Sequence, residues 1–432
     1  MILANKNTSV FLGGDLSLTR DLSRAEALRR GVGSARLCEA RVDRSTWKKV
    51  KLGDVCSIKA RIGWQGLKKS EYMDSGCYGL VSGTDFKNGF IDWGSCSFVS
   101  EWRYNQDRNI QLRNGDVLIT KDGTIGKVAY VQGMTCPTTL NSGVFVIRPV
   151  NDELQPPFLQ LIFKSRFFLE FLDRITAGST IVHLYQKNIV EFNFPIPDIA
   201  TQCSIAHAIE VIDRHLSKIE FLISKYEAIK KATVNLLLQP IEGGDTVKLG
   251  DVADIFRGGS PRPIQDYITE DANGINWIKI GDVATNAKFI ERTEERIKPS
   301  GVAMSRQVKA GDFLLSNSMS FGRPYILKIN GCIHDGWLAI QNYETTFDVD
   351  YLYYLLGSEF VFAQYLENAA GSSVKNLNKE IVSNIILPHI PLNEQRKIAT
   401  QISTIDNVLK DCQSQLAKAK SLKQGMMSYF FG

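Results

Sequence analysis

The sequence predicts an α+β protein built from two tandem β-rich modules with short helices. Two long helices separate the modules and form an antiparallel coiled coil, so the chain is pseudo-twofold symmetric. Three observations predict this. An internal repeat of about 190 residues runs through the chain. Each copy passes from short apolar runs between turn residues to a helical pattern. Each copy then ends in a long heptad seam.

The repeat is read directly. Val50-Lys51-Leu52-Gly53-Asp54-Val55 returns as Val247-Lys248-Leu249-Gly250-Asp251-Val252, 197 residues later. Gly115-Asp116-Val117-Leu118-Ile119 returns as Gly311-Asp312-Phe313-Leu314-Leu315, and Gly126-Lys127 as Gly322-Arg323, both at 196. Ala177-Gly178-Ser179-Thr180 returns as Ala370-Gly371-Ser372-Ser373 at 193, as do Gln202, Ile205 and Ala206 at Gln395, Ile398 and Ala399. The matches keep their order, which chance explains poorly. The segment before about residue 46 has no copy; it reads as an upstream-start artefact in preference to a docking arm.

Each copy opens with a strand and turn at Leu-Gly-Asp-Val. Apolar runs such as residues 117–120 and 144–147 follow, separated by Gly-Asp and Asn-Gly turns. One amphipathic helix is expected from Pro157 to about Arg174, and its counterpart from Asp350 to about Glu367. A Gly-Ser loop comes next, then a proline-bearing edge segment at 194–197 or 387–391.

The last element is the long helix. Apolar residues fall at Ile205, Ile209, Ile212, Leu216, Ile219, Ile223 and Tyr226, in steps of four and three. The second copy repeats the steps at Ile398, Ile402, Ile405, Leu409, Cys412, Leu416 and Ala419. Both seams lose their apolar residue at one matching place, Lys230 and Lys423, and Leu236 and Tyr429 are expected to resume them. Two seams in matching register favour helices that pair with each other over helices that each pack on their own module. A helix of about 38 residues is roughly 57 Å long, whereas the linker from Gln239 to Thr246 reaches at most about 27 Å. Module two is therefore expected at the far end of the first helix, with the second helix running back antiparallel in a dumbbell. Such a pseudo-dyad matches the dyad of duplex DNA. The expected divisions are 1–45, an unassigned extension; 46–198, module one; 199–239, helix one; 240–391, module two; and 392–432, helix two.

Composition bounds the function. The 432 residues are 44% apolar and 22% charged, the balance of a soluble globular protein. No run of about 18 apolar residues exists, and the N-terminus lacks a signal-peptide pattern, so a cytoplasmic protein without a membrane partner is expected. The eight cysteines form no CxxC pair and read as free thiols. Net charge is +5, of which residues 1–45 carry +3, so any nucleic-acid surface must be a local basic face.

The chain over about residues 46–432 resembles the specificity subunits of type I restriction-modification systems. The resemblance rests on 52–55, on 115–120 with Gly123-Thr124-Ile125-Gly126-Lys127, and on Leu392-Asn393-Glu394-Gln395-Arg396-Lys397-Ile398-Ala399 opening a long helix. The first copy departs at 199–206, which lacks the Glu-Gln-Arg run, and the second at 311–323, which lacks Thr-Ile-Gly. The resemblance implies two target-recognition domains, each reading one part of a bipartite duplex DNA site. It also implies helices that dock two methyltransferase subunits, with restriction subunits joining that core. No cofactor is then expected on this chain; S-adenosylmethionine, Mg and ATP belong to the partners. Other readings are a fragment of a fused restriction-methylation enzyme and an interaction scaffold without DNA.

Catalytic signatures argue for the subunit. An adenine methyltransferase needs an Asn/Asp-Pro-Pro-aromatic loop for the flipped base, and Gln155-Pro156-Pro157-Phe158 has Gln in the critical place. Its counterpart Asp348-Val349-Asp350-Tyr351 shares only the character of a helix start. No GxxxxGK[ST] loop exists. The five histidines show no metal spacing, and His207 and His215 are expected on the helix surface.

Affinity for DNA should come from Lys, Arg and small polar groups on phosphates, and specificity from a few groups at base edges. In module one the leading loop is 121–127, where Lys121, Thr124 and Lys127 flank glycines that permit close approach; a plain hairpin turn is an equal alternative. Its counterpart, 316–323, offers Ser318, Ser320 and Arg323. Ser179 and Thr180, with Ser372 and Lys375, form a second surface, although helix termination alone explains Gly and Ser there. Segments that differ between the copies should hold base readers: Lys59 and Arg61 against Arg257 and Arg262, and 82–85 against 279–282 with Lys279. Trp64, Trp93, Trp102 and Trp277 are expected in the cores.

Overall fold

The computed structural model describes residues 44–176, 183–284, 287–317, 321–369 and 377–432. These divide into two units, one up to Ser217 plus Ala417–Gly432 and the other Lys218–Leu416. Each unit thus holds one module, one part of its own long helix and one part of the other.

In unit one, the strand Lys48–Lys51 pairs antiparallel with the proline-bearing segment Asn193–Ile196. The next four residues, Leu52–Val55, form a single helical turn where a strand and turn were expected, the strand itself lying just before them. Gly53 is required there because a Cβ would stand 3.0 Å from Cβ of Val190; at Gly250 it would stand 2.7 Å from Cβ of Ser383. The main sheet runs in the order Cys56–Ala60, Val144–Pro149, Val117–Thr120, Val128–Tyr130, Phe90–Ile91, Phe86–Lys87. A second sheet of Ser97–Val99, Tyr78–Val81 and Thr138–Leu140 includes one parallel pair.

Unit two repeats the plan. Thr246–Lys248 pairs with Ile386–Pro388, and the main sheet runs Asp254–Arg257, Trp337–Gln341, Phe313–Ser316, Pro324–Leu327, Phe289–Ile290. Ile275–Ile278 lies parallel to Gly331–Ile333, as Tyr78–Val81 lies parallel to Thr138–Leu140. Central strands such as Val117–Thr120 and Phe313–Ser316 are buried along their whole length. That burial explains their continuous apolar runs.

Each expected amphipathic helix is two helices, Pro156–Phe163 with Arg166–Thr176, and Val349–Leu356 with Glu359–Ala369. Ser165 and Ser358, each 2 % exposed, sit at the break, and their hydroxyls donate to the carbonyls of Ile162 and Leu355. This local bond competes with the helical ladder, which periodicity alone does not reveal. The Gln155-Pro156-Pro157-Phe158 segment is a helix start, with Phe158 buried against Trp47 and Phe431.

The long helices span Ile199–Leu237 and Leu392–Phe431. Their starts are pinned by a repeated buried glutamine. Gln202 Nε2 donates to the carbonyls of Glu153 and Pro197, and its Oε1 accepts from the Gln155 amide. Gln395 does the same with Thr346, Ile390 and Asp348. Ile205, Ile209, Leu216 and Ile219 are buried and Ile212 half-buried; Ile402, Leu409, Cys412 and Ala419 are buried, with Ile398, Ile405 and Leu416 half-buried.

Within each unit the helices pack antiparallel. In unit one Ile205 and Ile209 share a core with Phe430 and Phe431, and Asp213 pairs with Lys423 at 2.5 Å. In unit two Leu238 shares a core with Ala399 and Ile402, and Lys230 pairs with Asp406 at 2.6 Å. The two seam-breaking lysines are therefore ion-pair partners across the helix pairing. Leu236 does not resume the seam: it is 79 % exposed, and Leu238 is the buried residue. His207 is exposed, but His215 is half-buried and not on the open surface. Among the described residues, no helix is long and apolar enough to cross a membrane.

Candidate nucleic-acid interface

One corner of each module is built identically in backbone and differently in side chains. At Asn141 the amide donates to Val81 O, and at its counterpart His334 to Ile278 O. Two residues on, Gly143 O accepts from the Lys121 amide, and Gly336 O from the Asn317 amide. The parallel strands beside the corner align Leu140 with Val81 and Ile333 with Ile278. On this common frame, module one carries Asn141 and Ser142, and module two carries His334 and Asp335, all half-buried. Sequence reasoning did not single out these four. Their signal was available: they immediately precede the matched strands at Val144 and Trp337, where apolar identity stops and polar identity differs.

In module one the two corner side chains are uncharged. Asn141 Nδ2 donates to the Tyr72 hydroxyl at 2.7 Å, and Asn141 Oδ1 accepts from Ser142 at 3.0 Å. The neighbouring loop 121–127 is closed on itself. Thr120 Oγ1 donates to Thr124 O and accepts from the Lys127 amide, leaving the Thr124 and Lys127 side chains exposed. Lys121 lies over the Phe145 ring, and Asp122 pairs with His183. Gly126 has φ +78°, and a Cβ there would stand 2.4 Å from Leu172 Cδ1. Its close approach is thus to the module's own helix. Gly123, at φ +68°, faces open space.

Lys59 is exposed, but Arg61 corrects expectation. It is 1 % exposed, and its guanidinium donates to Leu140 O at 2.8 Å and Thr139 Oγ1 at 3.2 Å. A buried guanidinium must keep such partners, so Arg61 supports the strand beneath the corner. Trp102 also departs from expectation: it is 65 % exposed, with the Arg103 guanidinium 4.8 Å from its ring. Trp277 is buried and Trp93 half-buried; the Trp64 side chain lies outside the described residues.

In module two the two divergent segments meet at the corner. Ser260, Lys279, Glu295, His334 and Asp335 line an open cleft of about 490 Å³, with Trp277 at its base. Ser260 donates to Asp335 Oδ1 at 3.0 Å, and Arg257 Nε reaches Asp335 O at 3.4 Å. Arg262, with a side chain 83 % exposed, stands 3.7 Å from Asp335 Oδ2. Lys279 pairs with Glu295 at 2.7 Å, and Asn317 Nδ2 donates to Asp335 O. Burial alone would raise the Asp335 carboxyl, but the Ser260 hydroxyl, its own amide, His334 and Arg262 outweigh it and hold it below the usual range. Burial lowers the His334 imidazole, with Asp335 opposing.

Arg323 is half-buried beside the strand end. Ser179, Thr180, Ser318, Ser320, Ser372 and Lys375 lie outside the described residues. Among the described residues, no group of three His, Cys, Asp or Glu is placed to hold a metal ion.

The type I restriction modification DNA specificity domain matches the chain twice, over residues 44–226 and 242–418. The type I restriction enzyme MjaVIII specificity subunit of Methanocaldococcus jannaschii is 22% identical over 412 residues, covering 88% of this chain and 91% of the relative. The fold is similar to that of a type I restriction-modification S subunit from M. genitalium, with a TM-score of 0.56 at 14% identity, covering 89% of this chain and 96% of that one. A chain from a study of complex assembly in a type I system gives a TM-score of 0.52 at 20% identity, covering 89% and 97%.

Proposed function

The chain belongs to the type I restriction-modification DNA specificity family, and from that premise we propose that its two modules read the two parts of a bipartite duplex site on behalf of partner enzymes. The chain supplies recognition and no bond-making chemistry. Two methyltransferase subunits dock on the long helices and carry S-adenosylmethionine; restriction subunits, with Mg and ATP, join that core in the cytoplasm. The observation that carries this reading is the duplicated corner: one backbone frame holds Asn141 and Ser142 in one module and His334 and Asp335 in the other. A reader of two different half-sites needs constant placement and different edge chemistry. Exposed Lys59, Thr124, Lys127, Arg257 and Arg262 are suited to phosphate or base contacts around it. The divisions 46–198 and 240–391 are proposed as the recognition domains, and 199–239 and 392–432 as the spacer helices.

Long-read methylation mapping of cells expressing the chain with its cognate methyltransferase tests the proposal. A two-part methylated motif that disappears when the chain is deleted is expected. Methylation that persists unchanged without the chain overturns the reading in favour of a scaffold.

A further inference from the structure

The polar corner of module two carries more than a general recognition role. An ionised carboxylate on a DNA-facing surface is repelled by phosphates, so it is useful only where it meets hydrogen-bond donors on base edges. Asp335 is such a group. Its side chain is 47 % exposed, its Oδ1 already accepts from Ser260, and its backbone carbonyl is held by Asn317 and Arg257. These bonds fix its direction while leaving lone pairs open to the cleft. Beside it, the Arg262 guanidinium is loosely held at 3.7 Å and exposed, with its five donors largely free. A carboxylate accepts from the amino group of cytosine, and an arginine fork matches the two acceptors of guanine. Module one has the neutral Asn141 and Ser142 at the place of His334 and Asp335, so the pair belongs to module two alone.

We propose that Asp335 and Arg262 are specificity-determining residues that require a C·G base pair in the half-site read by module two, Asp335 accepting from cytosine and Arg262 donating to guanine. This rests on the reading of the chain as a two-part DNA reader. Asp335→Asn keeps an acceptor for Ser260 but turns part of the acceptor edge into a donor. Arg262→Ala removes the guanine fork from an exposed loop.

The test is the same methylation mapping, run with the unmodified chain, with each variant and with the chain deleted, together with competition binding of the intact complex to matched and C·G-substituted duplexes. The expected result is relaxation at a single C·G position in one half of the motif, with the other half unchanged. Discrimination at that position should fall by roughly 10- to 100-fold. A motif unchanged in both variants, with the unmodified chain still directing two-part methylation, overturns this inference and leaves the wider reading intact. A half-site for module two that lacks any C·G pair also overturns it. Methylation independent of the chain overturns both. Should Asp335→Asn abolish methylation altogether, Arg262→Ala decides: a relaxed guanine supports the assignment, and an unchanged motif rejects it.

Discussion

Asp116 and Asp312 occupy equivalent places after the repeated glycine and are both buried. Asp116 is clamped by Arg148, whose Nε reaches Oδ1 and whose second nitrogen reaches Oδ2, both at 2.7 Å. The residue equivalent to Arg148 is Gln341, which donates to Asp312 without supplying a charge. Burial consequently raises the Asp312 carboxyl, with the Lys309 amide and Gln341 only partly opposing it. A raised folded-state value means that the folded unit binds the proton more tightly than the unfolded chain. The contribution is present below the unfolded Asp range near pH 4 and is lost as pH rises through the raised value. The stability difference between the parent chain and Asp312→Asn should therefore shift against the parent as pH rises above about 4. Urea unfolding of both proteins across that range checks this; a difference independent of pH contradicts it.

Among elements, the hairpin after Val117–Thr120 shows how a glycine-rich motif divides into parts with different duties. Gly126 is forced by its positive φ and by the helix against which it packs, whereas Gly123 has the φ constraint alone. Gly126→Ala should cost about 2–3 kcal/mol, adding overpacking against Leu172 to the left-handed penalty. Gly123→Ala should cost about 1 kcal/mol. Thermal unfolding separates the two, and equal losses would remove the packing argument. The split helices teach a related lesson. The pattern from Pro157 to Arg174 is continuously helical in its apolar spacing, yet a buried Ser165 hydroxyl ends one helix and permits the next to turn. Helix existence was legible; the break depended on whether one serine faced the core.

For the molecule as a whole, the two lysines that interrupt the heptad seams are the informative features. Lys230 meets Asp406 and Lys423 meets Asp213, and in both pairs the residue numbers sum to 636. Each pair is the repeat image of the other, so the helices meet in the equivalent antiparallel register within each unit. Tyr354 adds a hydrogen bond to Asp406 at 2.8 Å. The side chains are about one-third exposed or less, so solvent screens part of their attraction. Lys230→Met and Lys423→Met should each cost roughly 1 kcal/mol, by stranding a half-buried aspartate. Because the pairs lie in different units, the double variant should be additive within about 0.5 kcal/mol. Chemical unfolding measures this, and strong non-additivity would mean that the pairs act as one cluster.

The sequence by itself determined the duplication, the β-rich modules, both long helices and their antiparallel pairing. These rest on order, period and chain reach, which survive without knowledge of any contact. Only the tertiary structure decided what each polar residue does. Arg61 and Lys59 look alike in a basic segment, yet one is enclosed by Leu140 and Thr139 and the other is exposed. Asn141 and Ser142 in one module, and His334 and Asp335 in the other, carry no local motif, because strands distant in sequence bring each pair to the equivalent corner of its own module. Leu236 and Leu238 differ by two positions, and the packing of one helix on another, not their shared apolar character, placed Leu238 inside. Periodicity reports which face of an element is apolar; the direction of a single charged or polar side chain is set by what the rest of the fold places beside it.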